Sequence, residues 1–210
     1  MVVMTAVETV GRFTQADLWA MPDDGRRYEL LGGAIIVSPP PTRRHQRAAF
    51  RMARLLDDAV SPGLEVLPSP LGLFFPDQDY LEPDVVVFDP RIVIDDELRG
   101  GMPLLVVEVL SPSSLRRDLG DKMTRYRDEG VPSYWVVDPI NPRLRAWRLE
   151  EGEYVEIADV PGEKEWTAEQ PFPVTIRPVD LTRYSPRMSD RPRAVATPSC
   201  PRGTAAGPGG

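Results

Sequence analysis

Cysteine, histidine and lysine are all scarce in this chain, and each scarcity narrows what it can be. The single cysteine, Cys200, lies in a proline- and glycine-rich stretch, so no internal disulfide holds the fold together. No apolar run approaches the roughly 20 residues needed to cross a bilayer. The N-terminal MVVMTAVETVGRF has no basic region followed by a long apolar segment, so no signal peptide is read there. The expectation is a cytoplasmic protein with no membrane partner. Of 25 basic residues, only Lys122 and Lys164 are lysines. Where arginine is so strongly preferred, a retained lysine hints at a need for a compact ammonium. The net charge of -7 argues against a general nucleic-acid coat protein, which would be basic. It leaves room for an enzyme that meets nucleic acid through a local basic face.

What is present is an ordinary globular composition, 41% hydrophobic and 27% charged over 210 residues, enough for one domain and hardly for two. We expect an N-terminal extension over residues 1–12, a domain over 13–184 and a disordered Pro/Gly-rich tail over 185–210. Within the domain, residues 13–22 predict a short helix capped by Thr14 and ended by Pro22. Residues 27–31 and 34–38 predict two strands joined at Gly32-Gly33, with Pro39 stopping the second. The clearest helix is expected over 42–60, where Ala49, Met52, Ala53, Leu56 and Val60 form an inward stripe. Its arginines Arg43, Arg47, Arg51 and Arg54 fall on another face, either solvated or turned to phosphates. Residues 64–77 and 80–90 predict successive antiparallel strands, and a loop carrying Asp95, Asp96 and Glu97 follows. One helix is expected from residue 113 or 114 to 129, with Gly130 as its stop. Residues 132–139 predict a buried strand ending in a turn at Asp138. A hairpin follows, turning at Glu151-Gly152 along an exposed sheet edge. The order describes a mixed α/β (α+β) domain, a central sheet with helices against it.

The stretch PLLVVEVLSPSS, residues 103–114, carries the chemistry. Six of the seven residues from Leu104 to Leu110 are apolar, and the exception is Glu108. An ionised carboxylate in a buried strand is costly unless something pairs with it, and a metal ion is one such partner. Asp84 opens a second apolar run, DVVVF. Phosphodiester cleavage builds negative charge that carboxylates cannot stabilise themselves, but they can hold Mg²⁺, which polarises the phosphate and acidifies water. Leu115, Leu119, Lys122 and Tyr126 share helical spacing, so Lys122 should face the sheet, to stabilise the transition state or position the water. The alternative is a partly buried Lys122–Glu108 ion pair without catalysis.

These segments, YELLGGAIIVSPPP, EPDVVVFDP, LLVVEVLSPSS and RRDLGDKMTRYRDEGVPSYWVVDP, resemble the Uma-two family of restriction-endonuclease-like proteins, within the PD-(D/E)xK nuclease superfamily. The resemblance covers residues 13–177. It implies a restriction-endonuclease-like αβββαβ core with divalent metal, Mg²⁺ or Mn²⁺, at the site. Pro83-Asp84 matches the superfamily's PD and Glu108 its acidic second position, so both are implied as metal ligands. Leu110 stands where the ExK lysine would be, and the family's lysine matches Lys122 on the next helix. Lys122 with Tyr126 resembles a helix-borne polar-x-x-x-Tyr element of related nucleases. Glu29 matches a recurrent family glutamate, either a third acid near the metal or a hairpin carboxylate paired with arginine. His45 stands where the family often has a histidine, as a structural or capping residue or a member of the site.

The leading expectation is a metal-dependent DNA endonuclease using Asp84, Glu108 and Lys122. The alternative is a catalytically inactive nucleic-acid- or protein-binding module that keeps the fold. Arg43, Arg47, Arg51, Arg116 and Arg117 are candidate nucleic-acid contacts; Arg116, Arg117 and Asp118, near the start of the second helix, either contact phosphate or are solvated. A homodimer fits the need for two sites when both strands are cut.

Overall fold

The computed structural model describes residues 12–76, 79–92, 101–112 and 114–183. The expected N-terminal extension, the acidic loop at residues 95–97, most of the turn after residue 76 and the C-terminal tail therefore lie outside or largely outside the described residues. The chain begins with α1 (Gln15–Trp19), where Thr14 and Asp17 form a reciprocal capping box. The hairpin of β1 (Arg27–Leu31) and β2 (Ala34–Ser38) has the bounds the Gly-Gly signal predicts. Both turn glycines have φ of +60° or more, which L side chains rarely adopt. Helix α2 (Arg43–Ala59) follows, with the Thr42 side chain accepting from the backbone N–H of His45. Its buried stripe is Ala48, Ala49, Met52, Ala53 and Leu56, as the spacing requires, and His45 extends it at the N-terminal end.

Beyond α2 the chain alternates between two sheets. Strands β3 (Glu65–Pro68), β4 (Leu73–Phe74), β5 (Tyr80–Leu81) and β6 (Val85–Phe88) replace the two long strands expected over 64–90. β3 pairs with β6, whereas β4 pairs with β5, and β5 in turn pairs with β1. Short segments switch sheets because Ser69-Pro70 and Pro83 interrupt the ladders. Then come β7 (Leu105–Val109), α3 (Leu115–Asp118), α4 (Asp121–Asp128), β8 (Ser133–Asp138), β9 (Arg143–Glu150), β10 (Glu153–Pro161), β11 (Trp166–Ala168), β12 (Val174–Ile176) and α5 (Pro178–Thr182).

The larger sheet has the order β10-β9-β8-β7-β6-β3. Only β7 and β8 run parallel, and α3 and α4 make the crossover between them. All five residues of β7 are buried, the mark of a strand covered on both faces. Val107 and Val109 face a core with Met52 and Leu56 of α2 and with β11, β12 and α5. Val106 and Leu110 face a second core holding Tyr126 of α4, Tyr134 and Leu81. At about 2 kcal/mol for each large apolar side chain withdrawn from water, these two cores fix the sheet between its layers. The smaller sheet, β2-β1-β5-β4, closes beside the second core. This is the mixed α+β architecture the sequence predicts.

The helix expected as one piece over 114–129 is two. The backbone breaks at Gly120, where a Cβ would stand 2.7 Å from the carbonyl oxygen of Arg116. Only glycine permits that approach. The break separates Leu115, which is 46% exposed, from the buried face carried by Lys122 and Tyr126, so the four-residue stripe expected there holds only in its second half.

Candidate active site

Four elements converge on one buried cluster. β6 and β7 are antiparallel with Val85 opposite Val107, so one step further along the ladder Asp84 comes level with Glu108. The β1 hairpin brings Glu29 in from the smaller sheet. Helix α4 lays Lys122 and Tyr126 over the second core, on the Glu108 side of β7. Glu29, Asp84, Glu108 and Lys122 are each no more than 3% exposed.

The Lys122 ammonium bridges two acids, 2.7 Å from Glu29 Oε1 and 3.0 Å from Glu108 Oε1. The Tyr126 hydroxyl donates to the same Glu108 oxygen at 3.2 Å. Glu29 Oε1 also accepts the backbone N–H of Glu82 at 2.9 Å. Asp84 Oδ2 accepts from the backbone N–H of Val109 at 2.7 Å and lies 3.2 Å from His45 Nε2. The Arg27 guanidinium reaches Asp84 Oδ1 at 3.4 Å and stands 3.9 Å from Glu29 Oε2.

One ammonium cannot neutralise every acid around it, and the carboxyls divide accordingly. Burial pushes Glu29 up, but Lys122, Arg27 and the hydrogen bonds from Lys122 and Glu82 hold it below the ordinary 4.5. Burial likewise opposes ionisation of Asp84, yet His45, Arg27 and the Val109 N–H keep it below 3.8. Glu108 goes the other way. Burial raises it to about 8 against the help of Lys122, and the nearby charges of Asp118, Asp84 and Glu29 add to the rise. Burial works against the charge on Lys122, but Glu108, Glu29 and Asp118 hold it protonated. By distance, Lys122 stands nearer Glu29 than Glu108.

Asp84 and His45 stand in the wall of a cleft of about 690 Å³, bordered by Arg26, Arg27, Thr42 and Ser111. Glu108 and Lys122 lie behind that wall. A smaller depression of about 400 Å³ is lined by Arg143, Arg145 and Asp159, whose charges are already paired across β9 and β10. It carries no comparable buried acids.

Residues 15–182 match the model of the Uma2 family, described as "Putative restriction endonuclease". The chain belongs to the Uma2 family. It is 28% identical over 170 residues to the Synechocystis protein sll1609, a match spanning 74% of this chain and 92% of that one. Its fold is similar to a crystal structure described as "a putative nuclease belonging to DUF820" from Anabaena variabilis, with a TM-score of 0.63 at 18% identity. That likeness covers 81% of this chain and 97% of the other. The restriction-endonuclease-like fold expected of a Uma2 member is the fold this chain has.

Within the Uma2 domain, Asp84, Glu108, Lys122, Glu29, His45 and Tyr126 are all brought together. Glu29, read equally as an arginine partner, sits nearer Lys122 than Arg27. The His45 backbone N–H meets the helix cap, and its ring stands 3.2 Å from Asp84. The candidate phosphate arginines fare differently. Arg47 donates to the carbonyl of Thr182, and Arg51 donates to the carbonyls of Asp180 at 2.5 Å and of Arg183. These guanidiniums pin α5 to α2 instead of standing ready for phosphates. Arg43 and Arg116 are exposed, and Arg117 is half-buried. Asp118, expected with Arg116 and Arg117 either to contact phosphate or to be solvated, is instead 1% exposed with Oδ1 4.0 Å from Lys122 Nζ. Its four-residue spacing from Lys122 was the available signal.

Among the described residues, no three His, Cys, Asp or Glu side chains are grouped closely enough to cage an ion alone. Mg²⁺ seldom needs such a cage. It is commonly held by one or two carboxylates, with waters and substrate phosphate completing its shell. The donors at Asp84 and Glu108 are hard oxygens suited to that ion. The charge count fits as well: burial raises Glu108 and Asp118, so they resist ionisation in the ion-free site, and when all four buried acids, Glu29, Asp84, Glu108 and Asp118, are ionised they face two cations, Lys122 and Arg27. The shortfall of two positive charges is what one divalent ion supplies.

Proposed function

We propose that this Uma2 protein is a divalent-metal-dependent nuclease that hydrolyses phosphodiester bonds in DNA. The observation that carries the reading is the ladder-aligned pair Asp84 and Glu108, backed by a buried lysine at a site short of positive charge. Asp84 and Glu108 would hold Mg²⁺ or Mn²⁺, which when bound polarises the scissile phosphate and lowers the pKa of water. Asp84 lies at the cleft wall, fixed by Val109 and His45, where a rigid oxygen donor is needed. Lys122 supplies a compact positive charge beside Glu108, to stabilise charge on the phosphate or to orient the attacking water. Tyr126 and Glu29 hold that lysine and glutamate in place. Cutting both strands of a duplex would call for two such sites, hence a homodimer.

The test is cleavage of supercoiled and single-stranded DNA with Mg²⁺, with Mn²⁺ and with EDTA. We expect cleavage only with a divalent ion and a loss of about a hundredfold or more in Asp84→Asn. Cleavage that persists in EDTA, or in Asp84→Asn, contradicts the reading. A second reading, a module that binds nucleic acid without cutting it, draws on the 1% exposure of Glu108 and Lys122 behind the cleft wall. DNA retention with no product under any divalent ion would favour it.

A further inference from the structure

The Lys122 ammonium has three N–H donors, and two are used, on Glu29 Oε1 and Glu108 Oε1. Among the described residues, the only other acid within ion-pair distance of it is Asp118, whose Oδ1 is 4.0 Å away. That oxygen is buried and has no hydrogen-bond partner. A buried acceptor left open is costly, so its persistence needs a reason. Glu29 Oε2 is also open, but Arg27 stands 3.9 Å from it. The Ser114 hydroxyl serves the Asp118 carboxyl, and among the described residues Lys122 is the one cation in an ion pair with Asp118 Oδ1.

Asp118 is itself held fast. Its backbone N–H donates to the carbonyl of Ser114 at 2.9 Å, and its carbonyl accepts the Tyr134 hydroxyl at 2.6 Å. The break at Gly120 sets its helix apart from that of Lys122, so Asp118 stays put while the four-carbon lysine stem remains adjustable. About 1 Å of ammonium movement would turn the 4.0 Å approach into a hydrogen bond.

We propose that Asp118 is a positioning residue, the second seat of the Lys122 ammonium, occupied when Glu108 turns to a divalent ion. The inference rests on the metal reading above. Once Glu108 gives its oxygen to an ion, Lys122 loses that acceptor and faces a like charge. The ammonium then moves to Asp118 while keeping Glu29. Without the second seat, the ammonium opposes the ion and weakens its binding.

The chain's two lysines make this observable. In protein labelled with ¹⁵N-lysine, only Lys122 and Lys164 give Nζ signals, and Lys164→Arg assigns them. On adding Mg²⁺ we expect the Lys122 signal to move and the Lys164 signal to stay. In Asp118→Asn the movement should vanish, and the Mg²⁺ affinity by calorimetry should fall about tenfold, the usual scale for a partner that supports a ligand. In a Lys122→Met background, where no ammonium needs reseating, Asp118→Asn should cause no further loss. This comparison separates the proposal from general damage to the fold. An Asp118→Asn variant with wild-type affinity and an unaltered Lys122 response overturns the proposal. Mg²⁺ binding by the wild type with a stationary Lys122 signal overturns it too, leaving the metal reading intact. No Mg²⁺ binding by the wild type defeats the metal reading and this inference together.

Discussion

Replacing Glu108 with glutamine should make the ion-free protein more stable at high pH, even as it disables the candidate site. Glu108 carries the raised carboxyl, moved from 4.5 to about 8 by burial and the acids around it. Below 4.5 the group is protonated whether the chain is folded or not, and the wild type carries no penalty. Between 4.5 and 8 the unfolded chain releases this proton while the folded chain keeps it, so stability falls as pH rises. Above 8 the folded chain holds a buried, poorly compensated charge, and the loss is complete. At about 1.4 kcal/mol per pH unit, the full swing is on the order of 5 kcal/mol. Glutamine keeps the shape and a carbonyl oxygen for Lys122 and Tyr126, and it removes the titration. Urea unfolding in EDTA at pH 4, 7 and 9 measures the difference between Glu108→Gln and wild type. It should be near zero at pH 4 and favour the variant increasingly towards pH 9. A difference that is flat with pH, or that favours the wild type at pH 9, refutes the reasoning. Saturating Mg²⁺ should shrink the variant's advantage, because only the wild type gains from binding the ion.

Glu29→Gln should behave oppositely. Its carboxyl lies below 4.5, so its contribution is present at neutral pH and fades as the pH falls through its folded value; we expect a loss of about 3–5 kcal/mol at pH 7 that shrinks as the pH is lowered below 4.5, and a loss that does not change on acidification would contradict the assignment. Gly120→Ala forces a Cβ onto the Arg116 carbonyl and should cost about 1–3 kcal/mol in urea unfolding, whereas an unchanged midpoint would show that the break is soft. Arg51→Ala should speed proteolysis beyond α5 and leave the salt dependence of DNA binding unaltered, while a salt slope smaller by about one would return Arg51 to the phosphate contacts.

Where local chemistry decides structure, the sequence reads correctly. Gly32-Gly33 permits one tight hairpin, and both strands end where the signal ends. Thr42 and the apolar spacing of α2 agree with each other, so the helix and its buried face follow. Glu108 was visible as the one charge in an apolar strand, and Asp84 as the acid opening the next such run. What long-range pairing decides was not legible. Nothing local tells that residues 73–74 and 80–81 leave the main sheet to pair with the β1 hairpin's side. The break at Gly120 depends on a close approach to Arg116, which periodicity alone passes over. Arg47 and Arg51 looked like a phosphate face because the helix pattern does not show α5 arriving beside them. Asp118 reads as solvated or phosphate-facing for the same reason: its burial beside Lys122 comes from how α3 packs, which the local sequence does not show.

The proposed function rests on a divalent-ion site formed by Asp84 and Glu108. Calorimetric titration of Mg²⁺ into wild type and Asp84→Asn at pH 7, with and without DNA, tests it most directly. Asp84 is the informative position because it belongs both to the cleft wall and to the buried acid cluster. The account predicts saturable binding by the wild type, with proton release as Glu108 ionises, and loss of that binding in Asp84→Asn. Equal binding by the two proteins, or none by the wild type with Mg²⁺ or Mn²⁺ in either condition, would contradict it and leave Glu108 and Lys122 as a buried structural pair.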